Sequence, residues 1–496
     1  MSAPDPEPRQ RARRVRRAPI LIVVIAALVA AAVAQHGASS TGVTSAARPA
    51  AGGVGIAADA VVSSAWYCAE GTSQPGGRAD ETVIVASLAT TSIDATMTVM
   101  PGGTNRPVSR TLRLAPGEQT SVRVADILAT AEPGVVVETT GGRAAVSHRL
   151  DHGGDFAVEP CTRAAGPDWY FAAGTTVPGS EHDLALFNPF GEDAIVDVSF
   201  LTDTGPQEPD ALKAIVVARR SRVTIPVHDS VLRQARVATQ VHARVGRIVA
   251  EHTQIFDGTT TDNGSKRTGI AVSLGATSPA ARWSVPSGTT RNGGSASLAL
   301  ANFASSEAKV EVHVVLVGDQ KLAAQSITVP ARGVVSTDVA ARLPLGTDYA
   351  ITATATDAGG RAVPIVAEIL TSWVPSSSTP GIASTLGTTV DARRWIVPEP
   401  QVDADGFVTV YNPGPDPVTA TLLTADSLDR RVGPTSEPEL AVAPGKAGVF
   451  HLSTRDRGTT GAYVITANHP IVVGLTLLGA SGASLSAGIP DLTYGG

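Results

Sequence analysis

Trp169-Tyr170-Phe171-Ala172-Ala173-Gly174-Thr175 decides the reading of this chain, because it recurs. Trp66-Tyr67-Cys68-Ala69-Glu70-Gly71-Thr72 precedes it and Trp283-Ser284-Val285-Pro286-Ser287-Gly288-Thr289 follows. A fourth copy, Trp395-Ile396-Val397-Pro398-Glu399, has Pro400 where the others have Gly. The tryptophans lie 103, 114 and 112 residues apart. A period that long is a whole small domain rather than a solenoid turn. With 496 residues the chain therefore divides into four tandem units behind an N-terminal extension.

Each unit repeats one script. After the Trp segment comes an alternating strand, ending in Asn at Asn188, Asn302 and Asn412. Asn folds its side chain onto local backbone, and the Pro after Asn188 and Asn412 bars a ladder, so the strand exits into a turn. β-Branched runs follow, then pairs of strands about Pro116-Gly117 and Pro444-Gly445, then pairs about Gly141-Gly142 and Gly359-Gly360. Gly-Gly between alternating apolar runs reads as a hairpin. About seven short strands per unit, with helical turns only near Val124–Ala131 and His228–Ala235, predict an all-β chain. The expected fold is four tandem antiparallel immunoglobulin-like β-sandwich domains after an N-terminal transmembrane helix. The segments are a basic tail at 1–17, an anchor or signal at 18–34, a flexible linker at 35–62, and sandwiches at 63–165, 166–280, 281–391 and 392–496. Equal connectors before each Trp suggest a semi-rigid rod. The acidic, Gly-rich stretch Asp257–Lys266 reads as a long surface loop.

Residues 1–17 carry a net charge of +4, and the uncharged apolar run Ala18–Ala34 follows. Basic residues stay cytoplasmic, so either an anchor or a signal cleaved after Ala32-Val33-Ala34 sends the rest outside. The expected location is the plasma membrane, single-pass, with the bulk of the chain beyond it, or secretion if the segment is cleaved. The remaining chain carries −10, which disfavours phosphate backbones and hence nucleic acid. Cys68 and Cys161 are the two cysteines, and an exported pair predicts a disulfide. Their repeat offsets hold Phe171 with Gly275, Val285 with Gly387, and Val397 with a Gly such as Gly488. A large residue opposite a glycine in three units suggests that the same contact is covalent in the first.

The chemistry-bearing residues form no recognisable constellation. His148 and His152 have metal-ligand spacing only on a helix, and this is strand. His182-Asp183 and His228-Asp229 read as solvated loop pairs. Gly479-Ala480-Ser481-Gly482 lacks the spacing of a nucleophile elbow. The reading therefore names no catalytic, cofactor or metal residue. The repeat tryptophans read as core aromatics. Trp373 breaks the period and is either packed at a joint or exposed as a ligand contact.

The Trp-x-x-x-x-Gly-Thr start, followed by Leu-Ala-Leu-Phe-Asn-Pro at Leu184–Pro189, resembles an uncharacterised family of secreted or membrane-anchored actinobacterial proteins. That resemblance implies a cell-envelope setting and brings no catalytic residues. The expected function is a non-enzymatic, membrane-anchored extracytoplasmic scaffold or interaction rod, its partner an envelope protein. The alternatives are a cell-wall glycan-binding protein, with Trp373 or Tyr170 as platforms, and, third, an envelope hydrolase.

Overall fold

The computed structural model describes residues 54–56, 63–102, 105–140, 143–262, 265–318, 322–374, 376–427, 438–452 and 461–494. The basic tail, the apolar run 18–34 and most of the linker lie outside these. Among the described residues no helix is long and apolar enough to cross a membrane. Nearly all regular structure is antiparallel β-sheet. The first repeat shows the plan, with strands β1 (Ser63–Cys68), β2 (Asp80–Ser87), β3 (Ile93–Met100), β4 (Val108–Leu114), β5 (Gln119–Arg123), β6 (Gly134–Thr140), β7 (Ala144–His152) and β8 (Asp155–Pro160).

These eight strands make two sheets, in the orders β1-β6-β3-β4 and β5-β2-β7-β8. Repeats 2 and 3 reproduce both sheets, and repeat 4 joins them through one 17-residue strand, Tyr463–Gly479. Two expectations are corrected here. The strands expected to pair as hairpins do not pair with each other, because β6 and β7, like β4 and β5, belong to different sheets, and about Gly359-Gly360 the pairing stops at a short turn in which Thr356 bridges Ala362. In repeat 4 the expected turn at Asn468-His469-Pro470 is likewise a passage between sheets inside one strand. Alternation locates a strand but does not say which sheet it joins. The expected loop Asp257–Lys266 is the far end of a long β-ribbon, in which Thr261 pairs with Lys266.

Local motifs do what their chemistry dictates. The side chains of Asn188, Asn302 and Asn412 donate to the carbonyls of Glu192, Ser306 and Asp416, and accept the amides of Phe190, Ala304 and Gly414. Trp169, Trp283 and Trp395 are fully buried and donate Nε1–H to the carbonyls of Ile248, Ile365 and Ile471. The short turns appear as a 3-10 turn at Val124–Asp126 and one helical turn at Val227–Ser230.

The strand that sequence reading did not count, β8, positions everything else. Its counterparts are Ser265–Leu274, Gly381–Leu386 and Ala483–Ala487, and each is an edge strand of its sheet. The four pack against one another in a closed cycle, β8 touching both the repeat 2 and the repeat 4 strand. An open edge exposes unpaired N–H and C=O groups, and here the four edges cover each other. The rod is therefore corrected: repeat 4 returns to repeat 1. Gln119 holds the backbone of Glu399, its amide donating to the carbonyl (2.6 Å) and its oxygen accepting the N–H (2.9 Å). Arg143 pairs with the buried Asp491, and the Val158 amide donates to Ser484 Oγ (2.9 Å). Part of the linker is also docked: Ile56 is buried and donates its N–H to the Pro490 carbonyl.

Candidate functional site

The titratable side chains that could carry chemistry are gathered in the seams between repeats. Ser147, Glu251, Glu368 and Gly474 occupy one repeat position, opposite Pro160, Leu274, Leu386 and Ala487. From the two glutamates the seam to the preceding repeat is built. Glu251 Oε2 accepts the N–H groups of Ala69 (3.0 Å) and Glu70 (2.7 Å). Glu368 Oε2 accepts those of Ala172 (3.1 Å) and Ala173 (2.8 Å), the equivalent residues after Trp169. Buried backbone amides need acceptors, and the next repeat provides one carboxylate for two of them.

At the third seam the equivalent residues are Pro286 and Ser287. Pro has no N–H, so a carboxylate would meet no pair of donors. The position is Gly474, and a Cβ there would stand 2.8 Å from Pro286 Cγ. In repeat 1 the position is Ser147, which has no carboxylate to offer, and at the fourth seam Gln119 grips the Glu399 backbone instead.

Histidines extend two of the carboxylates into buried relays. In the first seam Glu81 Oε1 lies 3.2 Å from His148 Nδ1, and His148 Nε2 lies 3.5 Å from Glu251. In the second, His182 Nε2 lies 3.1 Å from His252 Nδ1, and His252 Nε2 lies 3.1 Å from Glu368. A neutral His252 satisfies both contacts only with its proton on Nε2, donated to Glu368. Burial pushes Glu251 up to about 7, with His148 pulling it back. Burial likewise raises Glu70, Glu81 and Glu159, and lowers His182 well below the usual histidine range. Burial opposes ionisation of Glu368 too, but His252 and the Ala173 amide hold it below the usual carboxylate range. Arg222 spans the first seam, donating to Glu70 Oε1 (2.6 Å) and to the carbonyls of Gly71 and Pro133. The relay members are at most 1% exposed, so a substrate cannot reach them. Each relay ends on a carboxylate that bridges two repeats.

Where the four edge strands meet, one side chain fills the axis. Asp155 takes the repeat position of Gly269, Gly381 and Gly482. Its carboxylate accepts the amides of Phe156 (2.7 Å), Ile270 (3.0 Å), Ala483 (3.3 Å) and Ile382, one from each repeat. A Cβ on Gly269 or Gly482 would fall 1.8 Å from a carboxylate oxygen, so there is room for one side chain only. Gly269 and Gly381 also have φ of +114° and +141°, which a side chain disfavours. Burial raises Asp155 to about 8 against the pull of the four amides.

The sequence-derived site residues fall as follows. Cys68 and Cys161 are joined in a disulfide, with Cα atoms 4.8 Å apart, inside the usual range. Their sulfurs and a His148 nitrogen form a compact Cys-His-Cys group, but the bonded cysteines offer no thiolate to a metal. Gly275 lies against Phe171 as expected, whereas the nearest side chains to Gly387 and Gly488 are Trp283 and Trp395 rather than Val285 and Val397. Trp373 is corrected as an exposed contact: it is 0% exposed and donates Nε1–H to the Arg291 carbonyl. Tyr170 is half-buried, edge-on to Phe303 across the second seam. His148 and His152 do not converge, since His148 is in the relay and His152 Nδ1 lies on the Arg78 carbonyl. His182 is no solvated loop residue, because it is fully buried.

Sequence reasoning missed the relays and the axial carboxylate. A signal existed for the seams. Val249-Ala250-Glu251 and Val366-Ala367-Glu368 place an acid at the same offset inside an apolar strand.

Residues 151–369 match a family of unknown function (DUF5719), a segment that contains Trp169, Trp283, Glu251 and Glu368. That match supports an uncharacterised domain family. No curated protein is significantly similar to the chain. Among solved structures, the crystal structure of Thermotoga maritima 1070 is similar over 22% of this chain and 93% of its own, at 19% identity and a TM-score of 0.19.

Proposed function

We propose that the chain is a non-enzymatic, membrane-anchored extracytoplasmic scaffold of the bacterial cell envelope. In this reading four immunoglobulin-like sandwiches close into a ring rather than a rod, and envelope proteins dock on the outward sheets. The observation that carries it is the placement of the buried acids and histidines in seams, where they hold neighbouring repeats. The Arg-rich start and the apolar run at 18–34 supply the anchor. Protease added outside wall-stripped cells should digest a C-terminal tag and spare an N-terminal one. Crosslinking of intact envelopes should then recover the chain with a membrane or wall protein. A protected C-terminal tag would overturn the orientation, and recovery of the chain alone would overturn the scaffold.

A further inference from the structure

An open groove of about 710 Å³ lies at the first seam, between the outer face of the sheet β1-β6-β3-β4 and the Pro189-Phe190 turn of repeat 2. Tyr67, Met100 and Val136 form its floor, and Phe190 its wall. The Tyr67 and Phe190 rings are 6.2 Å apart and tilted by 59°. Arg106 and Arg220 stand at the rim, exposed, with Glu138 the acid among the lining residues. A third guanidinium, that of Arg247, lies 3.9 Å over the Phe190 ring. On a chain of net charge −6 this is a local reversal of sign.

Arg220 has a backbone cost that needs a reason. Its φ is +52°, in the left-handed region that L side chains disfavour. The same turn position is Gly117 in repeat 1 and Gly445 in repeat 4, with φ of +69° and +65°. In repeat 3 it is Arg332, φ +48°, and there the guanidinium donates to Glu208 Oε1 of repeat 2 at 2.9 Å. At the first seam the loop after the third strand presents Arg106 instead of an acid. Two cations therefore face one groove, and neither pairs with a carboxylate among the described residues.

We propose that this groove binds an anionic oligosaccharide, with sugar rings on Tyr67 and Phe190 and the acidic groups bridging Arg106 and Arg220. The floor favours a saccharide over a peptide. It is a sheet face whose backbone groups are spent in ladders β1–β6 and β6–β3, whereas an added peptide strand needs a free edge. What the floor offers is ring faces and the hydroxyls of Thr98 and Ser109. Guanidinium groups match carboxylates bidentately. The inference does not depend on the scaffold reading.

The test titrates the full chain calorimetrically with hexagalacturonate, using maltohexaose, hexaglutamate and hexathymidylate as comparisons. Arg220→Gly is the informative variant, because glycine is at home in this turn and the fold should be kept or strengthened. Hexagalacturonate should bind, weaken with salt, and lose at least tenfold in affinity in Arg220→Gly and more in the Arg106→Gln/Arg220→Gly pair. Circular dichroism of each variant checks that the fold is intact. Four results would overturn the proposal: no binding, equal binding by the variants, equal binding of maltohexaose, or tighter binding of the peptide or the oligonucleotide.

Discussion

Replacing Asp155 by Asn should remove a pH dependence from the stability of the whole assembly. Burial raises this carboxyl to about 8 from an ordinary value of 3.8. An acid with a raised pKa binds its proton more tightly in the folded state. Its contribution is complete below the unfolded value and is lost as pH climbs to the folded one. The slope is about 1.4 kcal/mol per pH unit, so about 4 kcal/mol disappears between pH 5 and pH 8. Asp155→Asn cannot ionise. Its oxygen still accepts axial amides, while its own N–H₂ faces donors, which costs about 1–3 kcal/mol independent of pH. The wild type should therefore lead at pH 5 and fall behind near pH 8. Glu70, Glu81, Glu159 and Glu251 are also raised by burial, so wild-type stability alone cannot isolate the effect. The informative quantity is the difference between variant and wild type, from urea unfolding of the full chain at several pH values. Parallel curves between pH 5 and pH 8 would refute the buried, proton-holding role of Asp155.

The remaining predictions concern the seams and the disulfide. Glu368→Ala leaves His252 and the Ala172 and Ala173 amides without their acceptor, and should cost about 3–5 kcal/mol, the usual loss when a buried pair is broken. Hydrogen exchange should accelerate first at Ala172 and Ala173, and unchanged protection there would refute the seam. The Cys68→Ser/Cys161→Ser chain, relieved of a bond across a sequence separation of 93, should lose about 4–5 kcal/mol on the chain-entropy account. A loss under about 1 kcal/mol in denaturant unfolding would show that the first repeat does not depend on its closure.

How much of this could be read from the sequence follows the range of each interaction. The Asn exits, the tryptophan cores and the Cys68–Cys161 bond involve residues whose partners lie within one repeat, and self-comparison of repeats exposed them. The cycle was hidden because its contacts are remote. Asp155 and Ala483 are 328 residues apart, and Gln119 and Glu399 are 280 apart. Nothing in strand alternation says that an edge strand will be capped by the edge of another repeat. Equal connectors fit a rod and a cycle equally well, so connector length could not decide between them. Trp373 was ambiguous for a different reason. Its aperiodic position marked it as special, but it has no counterpart in the other repeats, so comparing repeats could not show that its indole N–H goes to the Arg291 carbonyl of the same repeat.

The differences between the four seams are themselves informative. Identical seams would let a repeat of one chain close on the wrong neighbour or on another chain, with nothing to prefer the correct order. Here the first seam has Glu81-His148-Glu251 with Arg222, and the second has His182-His252-Glu368. The third has Pro286 against Gly474, and the fourth has Gln119 on the Glu399 backbone. A carboxylate placed opposite Pro286 would find no pair of amides, and the paired amides of Ala172 and Ala173 set against Gly474 would find no acceptor. Each mismatch strands a buried polar group, at about 1–3 kcal/mol. Mispairing is therefore penalised at every joint, which is how interfaces obtain specificity from repulsion as well as attraction. The single carboxylate on the axis extends the same logic. Four amides call for one acceptor, and the space that a second side chain would need is already filled. Repeat 1 alone supplies Asp155, so a set of four strands that lacks repeat 1 leaves the axial amides without an acceptor.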